Sequence, residues 1–180
     1  MISLTIARKY AKALLDVGRR ERSHELLGKD LDKLWGLLQE NKELRTVLFS
    51  PFYPAPRRKA IARSVGESLA LSKSVLDFLN LLIERDRMDH FPSIVKSYEE
   101  LCDEVSNRLR ASLASPEILP SQLVGEIQTQ LESTTGKEVI LSTLEDPSLI
   151  GGVVTKIGNI IYDGSLKTQL LKAKENLYKE

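Results

Sequence analysis

Between Asp146 and Ser165 the chain reads Asp-Pro-Ser-Leu-Ile-Gly-Gly-Val-Val-Thr-Lys-Ile-Gly-Asn-Ile-Ile-Tyr-Asp-Gly-Ser. This string predicts two short buried strands joined by a tight turn. Ile150, Val153, Val154 and Ile157 form the first apolar run, and Ile160, Ile161 and Tyr162 the second. Gly158-Asn159 between them is a pair that reaches positive φ in a hairpin turn. Gly151-Gly152 inside the first run marks a bulge or a close approach of backbone to backbone. Asp163-Gly164-Ser165 then turns the chain, and Ser165 is placed to cap a helix that starts at Leu166.

The first part of the chain has a different period. Ile6, Tyr10, Ala13, Leu14 and Val17 recur at helical spacing, predicting a helix over residues 3–19 with Ala7 and Ala11 widening its apolar stripe. Ser23 can cap a second helix carrying Leu27, Leu31, Leu34 and Leu38, with Trp35 beside that stripe as a core residue and Asn41 as its stop. A short turn around Leu44–Phe49 leads to a Pro-rich stretch, residues 50–56, where three prolines forbid a continuous helix. The basic run Arg57-Arg58-Lys59 opens the next helix, with Ile61, Val65 and Leu69 facing inward. Ser72 can cap a further helix from Ser74 to Arg85 whose Val75, Leu76, Phe78, Leu79, Leu81, Leu82 and Ile83 make it apolar nearly all round. Such a helix is buried on every side or keeps a face for a partner. After a charged turn, Ile94, Tyr98, Leu101, Cys102 and Val105 form the stripe of a last helix, with Pro92 in its first turn.

Near Asn107 the period changes to two. Leu109, Ala111 and Leu113 alternate with Arg110, Ser112 and Ala114 as a half-buried strand. Pro116 and Pro120 bound a loop. Leu123, Val124, Ile127 and Leu131 follow as an amphipathic helix ending near Gly136, and Val139–Leu144 forms another strand. After the opening string, Leu166, Leu170, Ala173 and Leu177 mark a final helix. The fold class is therefore mainly α: a helical bundle over residues 1–106, then a small α+β domain over residues 107–180. A domain that small buries only about 60% of its unfolded surface and should be held less tightly than the bundle.

Charge and composition exclude several functions. No apolar run approaches the about 18 residues of a membrane span. A formal net charge of +1 provides no global field for nucleic acid. No aromatics interleave Arg57-Arg58-Lys59 to stack bases, so this run reads as a solvated face. The amphipathic residues 1–20, with Arg8, Lys9, Lys12, Arg19 and Arg20 against Asp16, read as the first helix of the fold, with a transit peptide or a membrane-surface helix as alternatives. Cys102 is a single cysteine, expected to be a buried thiol in a reducing compartment. One cysteine with His24 and His90 makes no metal site, and the histidines read as surface or capping residues. The glycines at 151, 152 and 158 match neither phosphate-binding spacing, and Lys156 falls inside a strand. Asp163 beside Ser165 is explained by a turn and a cap. No catalytic residue, cofactor or small-molecule substrate is expected.

The run from Leu149-Ile150-Gly151-Gly152 to Asp163-Gly164-Ser165 resembles the C-terminal signature of the delta subunit of F-type ATP synthases, the oligomycin-sensitivity-conferring protein family. Asn159 stands where Asp is common in that family. Ala-Arg-Lys-Tyr-Ala-Lys-Ala-Leu, residues 7–14, resembles its N-terminal signature, so the two motifs bracket the chain. The resemblance implies a six-helix bundle that grips the N-terminal helix of an alpha subunit on the catalytic head. It implies a C-terminal domain that meets the b-type peripheral stalk, with contact to the membrane only through the complex. The head-binding groove would lie between the first and fifth helices, at Tyr10, Ala13, Leu14, Val75, Phe78, Leu81 and Leu82. Gly151, Gly152, Gly158, Asp163, Gly164 and Ser165 would shape the second domain. The chain would be a static, non-catalytic link supporting ATP synthesis at the cytoplasmic face of a bacterial plasma membrane, or on the matrix or stroma side in an organelle. A helical adaptor unrelated to ATP synthase, binding an amphipathic partner helix, is the alternative.

Overall fold

The computed structural model describes residues 4–158 and 160–177, without the side chains of residues 172, 173 and 175–177. Asn159, the start of the first helix at residue 3, and the side chains of Ala173 and Leu177 therefore lie outside the described residues. Contacts divide the chain into two units, one ending at Cys102 and the other beginning at Asp103.

The first unit contains α1 (Leu4–Arg20), α2 (His24–Glu40), α3 (Lys42–Phe49), α4 (Ala55–Ser68), α5 (Lys73–Glu84), a single 3₁₀ turn (Met88–His90) and α6 (Phe91–Val105), whose end passes into the second unit. Helix α2 follows its leucine pattern: Leu27, Leu31, Leu34 and Leu38 are all buried. Ser23 precedes this helix but makes no side-chain cap; its hydroxyl donates to Glu21 instead. A missing cap costs about 1 kcal/mol, whereas each buried leucine contributes about 1.5–3 kcal/mol, so the stripe decides. Trp35 packs edge-on against Phe91 with ring centroids 6.3 Å apart.

Helix α1 is turned relative to its expected stripe. Its core face is Ala7, Ala11, Leu14, Leu15 and Gly18, while Ala13 and Val17 are exposed and Ile6 and Tyr10 half-buried. Small residues win the core face because α2 follows so closely. A Cβ on Gly18 would stand 2.9 Å from the His24 Cα.

The Leu44–Phe49 segment is a helix rather than a turn. Asn41 ends α2 and also caps α3, its Oδ1 accepting the Leu44 N–H at 3.0 Å. Asn41→Ala is expected to lower the stability of the first unit by about 1 kcal/mol. Urea unfolding followed by the fluorescence of Trp35, the sole tryptophan, reads this directly; an unmoved midpoint would remove the cap from the account.

The basic run is not wholly solvated. Arg58 is 2% exposed; its Nε donates to the Leu48 carbonyl at 3.1 Å and its guanidinium pairs with Asp86 at 2.7 Å. Helix α4 can bury this charge because both partners are in place. Cys102 is half-buried against the core, not fully inside it.

The second unit contains β1 (Arg108–Ser115), α7 (Ser121–Thr135), β2 (Glu138–Glu145), β3 (Val154–Ile157), β4 (Ile160–Asp163) and α8 (Leu166–Leu177). The sheet order is β2-β1-β3-β4. β1 and β2 are parallel, joined through α7 as that pairing requires. β1 pairs antiparallel with β3, and β3 with β4 through Ile157 opposite Ile160. Among the described residues of this unit, Ala111, Leu113 and Val139 are the buried apolar side chains.

Strands β3 and β4 are not the buried pair the sequence predicts. β3 is at most half-buried, and every residue of β4 is exposed. Helix α7 buries none of its residues either. β4 is an edge strand, and a unit this small cannot cover both faces of its sheet.

The Gly-Gly and Asp-Gly-Ser segments meet as a backbone clasp. The Leu166 N–H donates to the Gly151 carbonyl at 2.9 Å, and the Gly164 N–H to the Val153 carbonyl at 3.0 Å. Gly152 has φ +82° and Gly158 φ +56°, the left-handed region suited to glycine. Asp163 accepts the Ser165 N–H at 2.9 Å and the Thr168 hydroxyl at 2.8 Å, while the Ser165 hydroxyl accepts the Thr168 N–H at 3.3 Å. Ser165 thus caps α8 as its position predicts.

Candidate functional site

Helices α1 and α5 leave an open, mostly apolar groove of about 690 Å³ between them. Lys9, Tyr10, Ala13, Leu14 and Val17 line it from α1, Glu21 from just past the end of that helix, and Ser74, Asp77, Phe78 and Leu81 from α5. Tyr10 meets Phe78 edge-on at a centroid distance of 6.3 Å, forming part of the groove floor. The Ser74 hydroxyl donates to Glu21 at 2.9 Å, tying the end of α1 to the start of α5. The two helices therefore run in opposite senses along the groove.

The α5 wall is anchored from behind. Asp30 of α2 is 1% exposed, and its carboxylate accepts the Ser72 N–H at 2.8 Å, with Lys33 3.7 Å away. Ser72 stands at the N-cap as expected, but its hydroxyl makes no cap and is buried without a partner. At the far end, Lys59 of α4 pairs with Glu84 and holds that carboxyl below the usual carboxylate range. On α6, the buried Tyr98 hydroxyl donates to the His24 carbonyl at 2.8 Å. Burial pushes the Tyr98 phenol well above its ordinary range, with the neighbouring Cys102 adding to the rise.

Of the residues expected at a groove, Tyr10, Ala13, Leu14, Phe78 and Leu81 line it. Val75 and Leu82 are fully buried in the core behind it. The sequence reading missed its polar members: Lys9, Glu21, Ser74 and Asp77. Ser74, Asp77 and Leu81 fall at i, i+3 and i+7 of α5, so the same spacing that reveals a core stripe also marks this one.

In the second unit Leu144, Ile150, Ile160, Ile161, Tyr162, Leu166, Leu170 and Leu171 are exposed apolar side chains. The motif residues Gly151, Gly152, Gly158, Asp163, Gly164 and Ser165 build that unit's turns and clasp. His24 and His90 are half-buried, and the Nδ1 of His90 is buried without a partner. Among the described residues, no cluster of His, Cys, Asp or Glu could hold a metal ion. No described helix is long and apolar enough to cross a membrane.

Comparison with known proteins gives a consistent result. The family model described as ATP synthase delta (OSCP) subunit matches residues 6–177. The chain is 42% identical over 177 residues to an ATP synthase subunit delta of Syntrophobacter fumaroxidans, covering 98% of this chain and 97% of that one. It is 41% identical over 179 residues to an ATP synthase subunit delta of Geotalea uraniireducens, covering 99% of each. Its fold is similar to that of a chain in the cryo-EM structure of the Toxoplasma gondii mitochondrial ATP synthase hexamer. There the TM-score is 0.72 at 18% identity, over 96% of this chain and 97% of that one.

Proposed function

The chain belongs to the ATP synthase delta (OSCP) subunit family, and from that premise we propose that it is a non-catalytic stator link between the catalytic head and the peripheral stalk. In this role the first unit holds the N-terminal helix of an alpha subunit and the second meets the b-type stalk. The link keeps the head from turning with the rotor, so that proton-driven rotation is coupled to ATP synthesis. The protein works at the cytoplasmic face of a bacterial plasma membrane and reaches that membrane only through the complex. Family membership removes the reading as an unrelated adaptor.

The observation that carries the head-binding half is the α1–α5 groove. Lys9 on α1 and Glu21, one residue past its end, are twelve positions apart, a span of about 18 Å at helical rise. That span accommodates about three turns of an amphipathic helix, a known recognition mode. Aromatic anchors such as Tyr10 and Phe78 suit a binding energy concentrated in few contacts. The stalk-binding half is supported by the exposed apolar side chains of β4 and α8, a kind of surface that marks partner sites.

Calorimetry of the full-length chain against a synthetic peptide of the alpha subunit's N-terminal helix tests the head-binding half. One-to-one, submicromolar binding with a negative heat-capacity change is the expected result. Tyr10→Asp is expected to weaken it about 100-fold, or about 2.7 kcal/mol, with the bundle still folded, because Tyr10 is only half-buried. No binding by the folded chain would overturn the groove assignment.

A further inference from the structure

We propose that Asp77 reads charge in the α1–α5 groove, and that the groove's occupant is an amphipathic helix with a lysine or arginine beside its apolar stripe. This deepens the helix-binding reading and rests on it. Asp77 lies on the α5 wall between Ser74 and Leu81. Among the described residues its carboxylate has no hydrogen bond or ion pair. The other carboxylate of the groove is engaged: Glu21 Oε2 accepts from Ser74 at 2.9 Å and from Ser23 at 3.5 Å. Among the described residues, Lys9 is the one cation lining the groove, and it makes no ion pair with either acid.

Asp77 stands in water when the groove is empty and loses that water when a helix covers Tyr10, Phe78 and Leu81. A carboxylate covered without a partner is costly, and a charged donor compensates it better than a neutral one. The occupant must therefore bring a cation to this point. A helix with acidic or wholly apolar flanks would be rejected here, which gives the groove selectivity beyond hydrophobic fit.

The test titrates the full-length wild-type chain and Asp77→Asn with the alpha N-terminal helix peptide. Variant peptides carry glutamine in place of each lysine or arginine in turn, and each titration is run at low and at high salt. Asp77→Asn is expected to weaken binding about tenfold at low salt and less at high salt. One peptide substitution should cause the same loss, with little further loss when the two changes are combined. Unchanged or tighter binding by Asp77→Asn, or an indifference to every basic peptide position, would overturn the proposal while leaving the groove reading intact. Failure of the wild-type chain to bind any of the peptides would sink both.

Discussion

Gly152→Ala should abolish the ordered second unit while leaving the helical unit intact. At φ +82° an alanine carries about 1–2 kcal/mol of strain. Its Cβ would also lie 2.9 Å from the Ser165 Cα and closer still to the Gly164 carbonyl oxygen. Both obstacles are backbone, so no rotamer relieves them. Moving them apart breaks the Leu166–Gly151 and Gly164–Val153 hydrogen bonds, each contributing about 0.5–1.5 kcal/mol. The total loss, about 2–5 kcal/mol, is comparable to the whole stability that a core this small supplies. Hydrogen exchange measures it: amides of β3, β4 and α8 should lose protection while those of α2 and α6 keep theirs. Gly151→Ala is the control, because the nearest atoms its Cβ meets all belong to the Leu166 side chain, which can turn away where backbone cannot. Equal protection in wild type and Gly152→Ala would refute the clasp as the unit's keystone.

Arg58→Ala should cost the first unit about 2–4 kcal/mol, chiefly through the cavity and the orphaned carbonyl, because the Asp86 it leaves behind is exposed. The substitution opens a cavity, leaves the Leu48 carbonyl without its donor and strips Asp86 of its guanidinium. Asp86 itself sits at φ +48°, a conformation unfavourable for a non-glycine residue that the Arg58 pair helps to hold. Urea unfolding monitored through Trp35 should show a lower midpoint with an unchanged slope. Arg58→Lys keeps the charge but cannot serve both acceptors with a guanidinium fork, so it should fall between wild type and Arg58→Ala. A loss below about 1 kcal/mol for Arg58→Ala would place it with ordinary surface changes.

Much of the fold was legible because local and tertiary preferences agree. The leucine stripe of α2 faces the core, and the alternation in β1 buries Ala111 and Leu113. Gly-Gly and Asp-Gly-Ser form close backbone contacts where their chemistry predicts them. Legibility failed where a neighbour decides the outcome. Periodicity finds an apolar face on α1 but cannot tell that the small Ala7, Ala11 and Gly18 win the core, leaving Tyr10 and Val17 for the groove. A basic tripeptide gives no sign that its middle residue has a carbonyl and a carboxylate waiting. Apolar strands read as buried, yet β4 ends its sheet with all four residues exposed. Asp77 escaped notice because a lone acid on a helix is usually just solvated, and only the groove around it gives it another meaning.

The bare edge at Ile160–Asp163 bears on how the protein behaves alone. A copy on its own carries β4 with one edge unpaired and with Ile161 and Tyr162 exposed along it. That is the kind of template on which strands of other chains add. Copies held alone are therefore the form expected to self-associate on this edge, and whatever covers it protects the protein from its own strands.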